Sequence, residues 1–478
     1  MKILIINPHD ERIPLGRPTW TPLSIASAAA VLEESGCTVK IFDRLAHYHM
    51  GSRSIPAVNQ SMISTVSSFK PDLILMEALS GSIYDTCYCI RDIRNLYDRP
   101  LGVFGSHVSA MPALTFRKIP QVDLLVEGEA EAPLAALVTG KWSEAPGVWL
   151  RNGDCGAPPV SPAFNIDMDS LPYPAFHLLD MDYYTKRSTF TIWCHHVSSA
   201  TLMSSRGCNG KCAFCLESRN FGSGLRFRNL EKVVSDVKRT LQDYKINAIY
   251  FRDCNFLAHK SRGRDFCEML IKNGLHRRMI WATQVRADCV DEELIKLMKR
   301  AGCCLLEFGV ETPQQNHLDA LGKTIPIEAA QRAIEFCRKA SIHSHAYLMM
   351  GLVGETLADL EAGEAWVRQY KPSSFFWIKL QVFPGTPLYE THGESFFEYG
   401  QWDDREAVLG YFKRDLSAVD PSDREHWFKT RAQPLVGRSR RICQLKANSP
   451  YAMASLAKDR LSIRVRSLGQ KIRGGASA

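Results

Sequence analysis

Short apolar runs alternate with helix-forming stretches along most of this chain, in two separate series. A strand buried on both faces reads as an unbroken apolar run, and a helix between two such strands lets the next one run parallel. In the first series the runs are Lys2–Ile6, Thr38–Phe42, Asp72–Met76, Leu101–Phe104 and Val122–Val126. Thr21-Pro22 offers an N-cap and a proline at the first helical position, Ala26–Leu32 continues with strong helix formers, and Gly36 stops it. Tyr84–Tyr97 and Ala132–Val138 read as further helices. This pattern predicts an open, Rossmann-like parallel α/β sheet over residues 1–140, with ligands bound beyond the carboxyl ends of its strands.

Residues 141–185 are rich in Pro, Gly and Asp and read as a linker. The second series has runs at Ala200–Ser204, Ala248–Arg252, Ile280–Val285, Leu305–Val310, His345–Met350 and Phe375–Val382. Six strand–helix units over residues 186–390 predict a partial (β/α)6 barrel of the TIM type, with its chemistry at the carboxyl ends of the strands. Residues 391–478 lack strand alternation and read as mostly helical.

Charge and cysteine usage narrow the function classes. From Lys429 to the end there are twelve Lys and Arg against one acid, Asp459, so the tail carries +11 of the net +8 and the preceding 428 residues sum to −3. A near-neutral body argues against nucleic-acid binding, which spreads basic residues over a face. In the tail, Met453, Leu456, Leu461, Val465, Leu468 and Ile472 recur at spacings of three to five among Lys and Arg. It reads as a solvated terminus or as a basic amphipathic helix touching an anionic membrane surface or an acidic partner. No apolar stretch is long enough for a membrane span, and the opening run is too short for a secretion signal. Fifteen cysteines, an odd number without secretory context, imply a reducing cytoplasm rather than a disulfide framework.

Three of those cysteines stand apart. Arg206-Gly207-Cys208-Asn209-Gly210-Lys211-Cys212-Ala213-Phe214-Cys215 directly follows the first strand of the second series. Three thiolates on one short loop can wrap an iron–sulfur cluster and leave the fourth iron open. The alternatives are a zinc site, with Cys194, His195 or His196 as fourth ligand, and inert buried thiols. The spacing C-x3-C-x2-C, with an aromatic before the last cysteine, resembles the radical S-adenosylmethionine superfamily, over about residues 195–390. The resemblance implies a [4Fe–4S] cluster on Cys208, Cys212 and Cys215, with Phe214 near the adenine of S-adenosylmethionine. Asp253, in Phe251-Arg252-Asp253-Cys254-Asn255-Phe256, resembles the family's acidic segment near the methionine amino group, although many relatives carry a second acid where this chain has Cys254. Arg286 is suited to a carboxylate, or else to a structural salt bridge. Glu311, in Gly309-Val310-Glu311-Thr312, resembles the ribose-binding acid, or else caps a helix. Gly351–Thr356 and Phe383–Tyr389 resemble two further family segments, the first with Val353 where Pro is usual.

An α/β sheet ahead of such a barrel resembles the cobalamin-binding subgroup. Gly105-Ser106-His107 and Glu127-Gly128 lie on loops after the fourth and fifth strands and resemble that subgroup's cofactor loops. The chain has no D-x-H-x-x-G, so no histidine of that motif reaches cobalt, and a structural role for His107 is the alternative. A domain that has lost its cofactor is another. No G-x-G-x-x-G supports a dinucleotide. The subgroup's commonest activity is methylation of a carbon or phosphorus that is not nucleophilic. A 5′-deoxyadenosyl radical removes hydrogen from a small-molecule substrate, which then captures methyl from methylcobalamin, with electrons from flavodoxin or ferredoxin. Non-methylating radical chemistry and a non-catalytic redox sensor are the competing readings. Trp193, Tyr347 and Trp377 are candidates for pocket walls or for core packing.

Overall fold

Strand β1 (Lys2–Asn7) is apolar from Ile3 to Ile6 because both of its faces are covered. It lies between β2 (Thr38–Asp43) and β3 (Leu73–Glu77), followed outward by β4 (Leu101–Phe104) and β5 (Leu124–Val126), all parallel. The computed structural model describes residues 1–10, 20–51, 53–151, 160–162, 164, 166–222, 224–393, 401–413 and 416–447. The basic amphipathic tail expected over 453–472 lies outside these residues.

The interval expected to be a linker adds a strand. Val148–Leu150 (β6) runs antiparallel to β5 and closes the sheet in the order β2-β1-β3-β4-β5-β6. One face of the sheet packs on the alanine-rich helix Leu23–Glu34. That helix starts one residue later than expected, because Pro22 keeps a non-helical ψ of 88° and serves as the N-cap. The opposite face is covered by the helices Ile55–Phe69 and Ile83–Arg94 and by Trp402, Val408 and Tyr411, which return from the far end of the chain.

The second sheet is formed by β7 (Ser199–Leu202), β10 (Ala248–Phe251), β11 (Ile280–Gln284), β12 (Cys303–Glu311), β13 (His343–Met350) and β14 (Ser374–Lys379), six parallel strands in sequential order. Between β7 and β10 a short hairpin, β8 (Ser205–Arg206) with β9 (Arg226–Phe227), brackets the cysteine loop. No pairing closes β14 onto β7 among the described residues, so the barrel is partial. Along its strands Tyr250, Ala282 and Leu305 meet Ile192 and Val197 in one small apolar cluster. Phe251, Leu306 and Phe308 pack in the larger core instead, as period-two alternation requires. The described part of the region after residue 391 is largely helical, with Arg405–Lys413, Pro421–Trp427 and Gln433–Ala447.

Candidate active chamber between two sheet ends

A cavity of about 450 Å³ lies where the carboxyl ends of both sheets face each other. From the first sheet it takes Asn7–Asp10 after β1, Glu77 and Leu79 around the end of β3, Gly105 and Ser106 after β4, and Gly128–Glu131 after β5. From the second it takes Thr201–Met203, Arg206, Arg252 and Gln284. Open parallel sheets bind ligands at this end because the loops that leave the strands are free to vary there.

The first wall is built from small residues and satisfied acids. Gly105 has φ 114° and ψ −178°, a conformation that only glycine adopts readily, and a Cβ there would come within 2.8 Å of the Ala78 carbonyl oxygen. The Ser109 hydroxyl oxygen accepts from the Gly128 amide at 2.9 Å. Glu77 accepts from the Ser24 hydroxyl, and its burial pushes the carboxyl pKa up to about 7.

The cysteine loop runs along the edge of the second wall. Arg206 before it and Glu217 after it line the cavity, whereas the three thiols do not. Cys208, Cys212 and Cys215 are all partly buried. The Gly210 amide donates to Cys208 Sγ at 3.3 Å. A Cβ at Gly210 would sit 3.0 Å from Arg286 Nη1, 3.4 Å from Cys208 Sγ and 3.7 Å from Cys212 Sγ. Two thiols and a guanidinium therefore converge on ground that the glycine leaves open; the thiols are soft ligands of the kind that suits an iron–sulfur cluster, and the cation beside them suits an anionic group. Burial and the neighbouring Glu217 push the Cys215 thiol up to about 12.

A buried ion-pair network joins the walls. Arg206 Nη1 donates to Glu129 Oε1 at 2.7 Å and to Glu131 Oε2 at 3.1 Å, and Arg226 Nη1 reaches Glu129 Oε2 at 2.5 Å. Glu129 lies on the loop after β5 and Glu131 opens the helix that follows it, while Arg206 is two residues before Cys208. Burial opposes ionisation of Glu131, yet the Arg206 charge and its hydrogen bond hold the carboxyl below its ordinary range.

Residues 202–364 match the radical SAM superfamily, and residues 17–138 match the B12 binding domain. The chain belongs to the B12-dependent radical SAM family. Its cofactors are a [4Fe–4S] cluster, S-adenosylmethionine and cobalamin. It is 28% identical over 399 residues to the uncharacterised methyltransferase PH0819 of Pyrococcus horikoshii, covering 82% of this chain and 83% of that one. It is 24% identical over 430 residues to cytidylyl-2-hydroxyethylphosphonate methyltransferase of Streptomyces wedmorensis, covering 78% and 79%. Its fold resembles that of the radical S-adenosylmethionine methyltransferase TsrM of Kitasatospora setae, solved with cobalamin and a [4Fe–4S] cluster. The TM-score is 0.65 at 17% identity, over 81% of this chain and 73% of that one.

In this B12-dependent radical SAM chain the residues expected at the site divide into two groups. Gly105, Ser106 and Gly128 line the cavity, but His107 and Glu127 stand behind its wall. His107 is fully buried, with Nδ1 3.0 Å from the Ser80 hydroxyl and its ring edge-on to Trp402 at 4.7 Å. Burial drives its pKa down to about 3, so it is neutral and packed. Glu127 accepts from Trp149 Nε1 of β6 at 2.9 Å.

Around the cysteine loop, Asp253 departs from expectation. It is fully buried and accepts from the Ser204 amide at 2.7 Å and from the Ser204 and Ser205 hydroxyls at 2.6 Å each, so it braces the strand that leads into the loop. Arg286 takes Asp288 through two hydrogen bonds, 3.1 Å from Nε and 2.8 Å from Nη2, which leaves Nη1 towards Gly210. Glu311 caps no helix. It sits at a register shift in β12 with φ 64° and accepts from Lys323 Nζ at 2.5 Å. Phe214 packs with Leu321, Leu352 and Leu380 beside the loop. Trp193 and Tyr347 meet in a 3.2 Å hydrogen bond below the cavity, and Trp377 packs edge-on to Trp427 in the core. Arg206, Glu217 and Arg252 are cavity residues that the sequence reading passed over. All three flank or sit within segments it quoted.

Proposed function

We propose that this chain transfers a methyl group to an unactivated carbon or phosphorus of a small biosynthetic intermediate held between the two sheet ends. The observation that carries this reading is the shared cavity: loops after β1, β3, β4 and β5 and barrel residues from β7, β10 and β11 border one space. When bound, the cofactors supply a 5′-deoxyadenosyl radical and a transferable methyl group. Cys208, Cys212 and Cys215 hold the cluster in this reading, with Gly210 keeping the ground between them clear. Arg286, Phe214 and Glu311 orient S-adenosylmethionine around it. Gly105, Ser106 and Gly128 present backbone to the edge of cobalamin without side chains in the way. Buried apolar and paired groups around the cavity keep bulk water from a short-lived radical. Flavodoxin or ferredoxin is the electron donor, and the cytoplasm the setting. No helix among the described residues is long and apolar enough to cross a membrane.

Turnover with S-adenosylmethionine labelled in its methyl group tests the reading. Methylation gives S-adenosylhomocysteine and 5′-deoxyadenosine in near-equal amounts, with label in the product. Accumulation of 5′-deoxyadenosine with the authentic substrate and no transferred label replaces it with radical cyclisation or oxidation.

A further inference from the structure

Three arginines line the cavity among the described residues, and two of them are committed. Arg206 holds Glu129 and Glu131. Arg228 holds Asp236 at 2.9 Å and the carbonyls of Met168 and Leu171 at 2.6 and 2.9 Å. Arg252 is different. Phe251 before it packs outward against Phe256, Phe266 and Trp281, and Asp253 after it is spent on Ser204 and Ser205. Alternation along the strand therefore turns Arg252 inward. Its side chain is exposed while Phe251 and Asp253 on either side are buried, so what it faces is the cavity.

Around its guanidinium the described residues supply a ring face but no ion pair. Trp20 lies 5.3 Å from Cζ. An aromatic face steadies a cation and offers none of the acceptors that its five N–H groups want. Neither nearby acid forms an ion pair with it, and the hydrogen bonds that each makes go to other groups. Glu217 accepts from the Cys254 thiol at 3.0 Å. Glu307 accepts from the phenols of Tyr250 at 2.7 Å and Tyr347 at 3.1 Å, and burial pushes its carboxyl up to about 7. Burial works against the Arg252 charge, but Tyr250, Glu217, Glu307 and Tyr347 together hold its pKa above the ordinary value. A permanent cation that faces the cavity with its donors unused offers a planar pair of N–H groups to an anion there.

We propose that Arg252 receives an oxyanion of the substrate, a carboxylate or a phosphoryl group, at the barrel wall of the cavity beside Trp20. The assignment rests on the reading that this cavity holds the methyl acceptor. It makes Arg252 a specificity-determining residue, because a planar guanidinium grips two oxygens at once and a lysine grips one point. Substrates of this enzyme then carry an acidic group at a fixed distance from the carbon or phosphorus that is methylated.

Isothermal titration of the holoenzyme with inorganic phosphate and with acetate tests the assignment, and the preferred anion tells phosphoryl from carboxylate. The wild type binds one of them saturably. Arg252→Met weakens that binding at least tenfold, and Arg252→Lys falls between. Equal affinity in the wild type and Arg252→Met, or no saturable binding of either anion by the wild type, overturns the proposal. A third arm repeats the phosphate and acetate titrations with unreduced enzyme saturated with S-adenosylmethionine. The bound anion persists if the site serves the substrate, and its displacement assigns Arg252 to the methionine carboxylate instead. Thermal midpoints report whether each variant is folded, and Arg252→Lys keeps the charge if Arg252→Met does not fold. The titrations need no turnover, so they remain readable if labelled methyl is never transferred.

Discussion

The two walls of the cavity are prepared in opposite ways. The first-sheet wall works by omission: Gly105, Ser106, Ser109 and Gly128 leave backbone exposed, and its acids are already paired or neutralised. The barrel side works by commission: Arg252 faces the cavity with its donors unused, and behind that wall the thiols sit with a guanidinium aimed at them. A large, mostly neutral ligand needs room and close backbone approach, whereas a redox cluster and a charged substrate need particular donor atoms. The difference teaches that the same end of two parallel sheets is adapted by loop composition alone.

The largest effect that separates the walls comes from the cysteines. Cys212→Ala should abolish 5′-deoxyadenosine formation and iron retention, whereas Cys37→Ala and Cys443→Ala, both buried and remote in sequence from the loop, should leave them in place. Iron content and product formation after anaerobic reconstitution check this. Retained activity in Cys212→Ala would break the cluster assignment.

Next in size is the link between the walls. Arg206→Ala strands the buried Glu131 and leaves Glu129 to Arg226 alone, a loss of about 3–5 kcal/mol for breaking such a pair from one side. Thermal unfolding should show it. A triple variant, Arg206→Met with Glu129→Gln and Glu131→Gln, should recover part of the stability. No recovery would mean that the network's charges matter for more than mutual compensation.

The first wall alone is addressed at Gly105. Alanine there meets the Ala78 carbonyl in a glycine-only conformation, a strain of about 1–3 kcal/mol. Cobalamin content should fall while iron content stays. Equal loss of both cofactors would show that the walls are not separable.

The smallest effect is on pH dependence. The folded-state pKa of Glu77 is raised from 4.5 to about 7, so the folded protein holds that proton more tightly than the unfolded chain. Glu77 therefore makes stability fall as pH rises from about 4.5 towards 7, with no further change above. Glu77→Gln should raise the thermal midpoint relative to the wild type at pH 8 and leave it alike at pH 4. A gap that is the same at both values would contradict the burial argument.

Much of this architecture is legible in the sequence, for one physical reason. Parallel strands covered on both faces are continuous apolar runs, and all eleven expected strands appear within a few residues of their places. Elements without that signal escape. The helix Ile55–Phe69 buries only Val58, Met62 and Val66, a thin stripe among Ser, Thr and Asn. Strand β6 is three residues long inside a proline-rich stretch. At the site, the spacing of Cys208, Cys212 and Cys215 is local and readable, but the direction of a side chain is not. His107 lies on the expected loop and is turned away by Trp402, almost three hundred residues further along. Asp253 was the conspicuous acid at the end of β10, yet its oxygens are spent on Ser204 and Ser205, and its neighbour Arg252 faces the cavity. Following the alternation one step from Phe251 would have found it.

The proposed function puts both cofactors at one chamber. Electron paramagnetic resonance of the holoenzyme, with cobalamin as cob(II)alamin and the cluster reduced, tests it most directly. The two spins should interact, so that reducing the cluster speeds the relaxation of the cobalt signal, and Cys212→Ala should remove this effect while cobalamin stays bound. A cobalt signal indifferent to the state of the cluster in the wild type would contradict it.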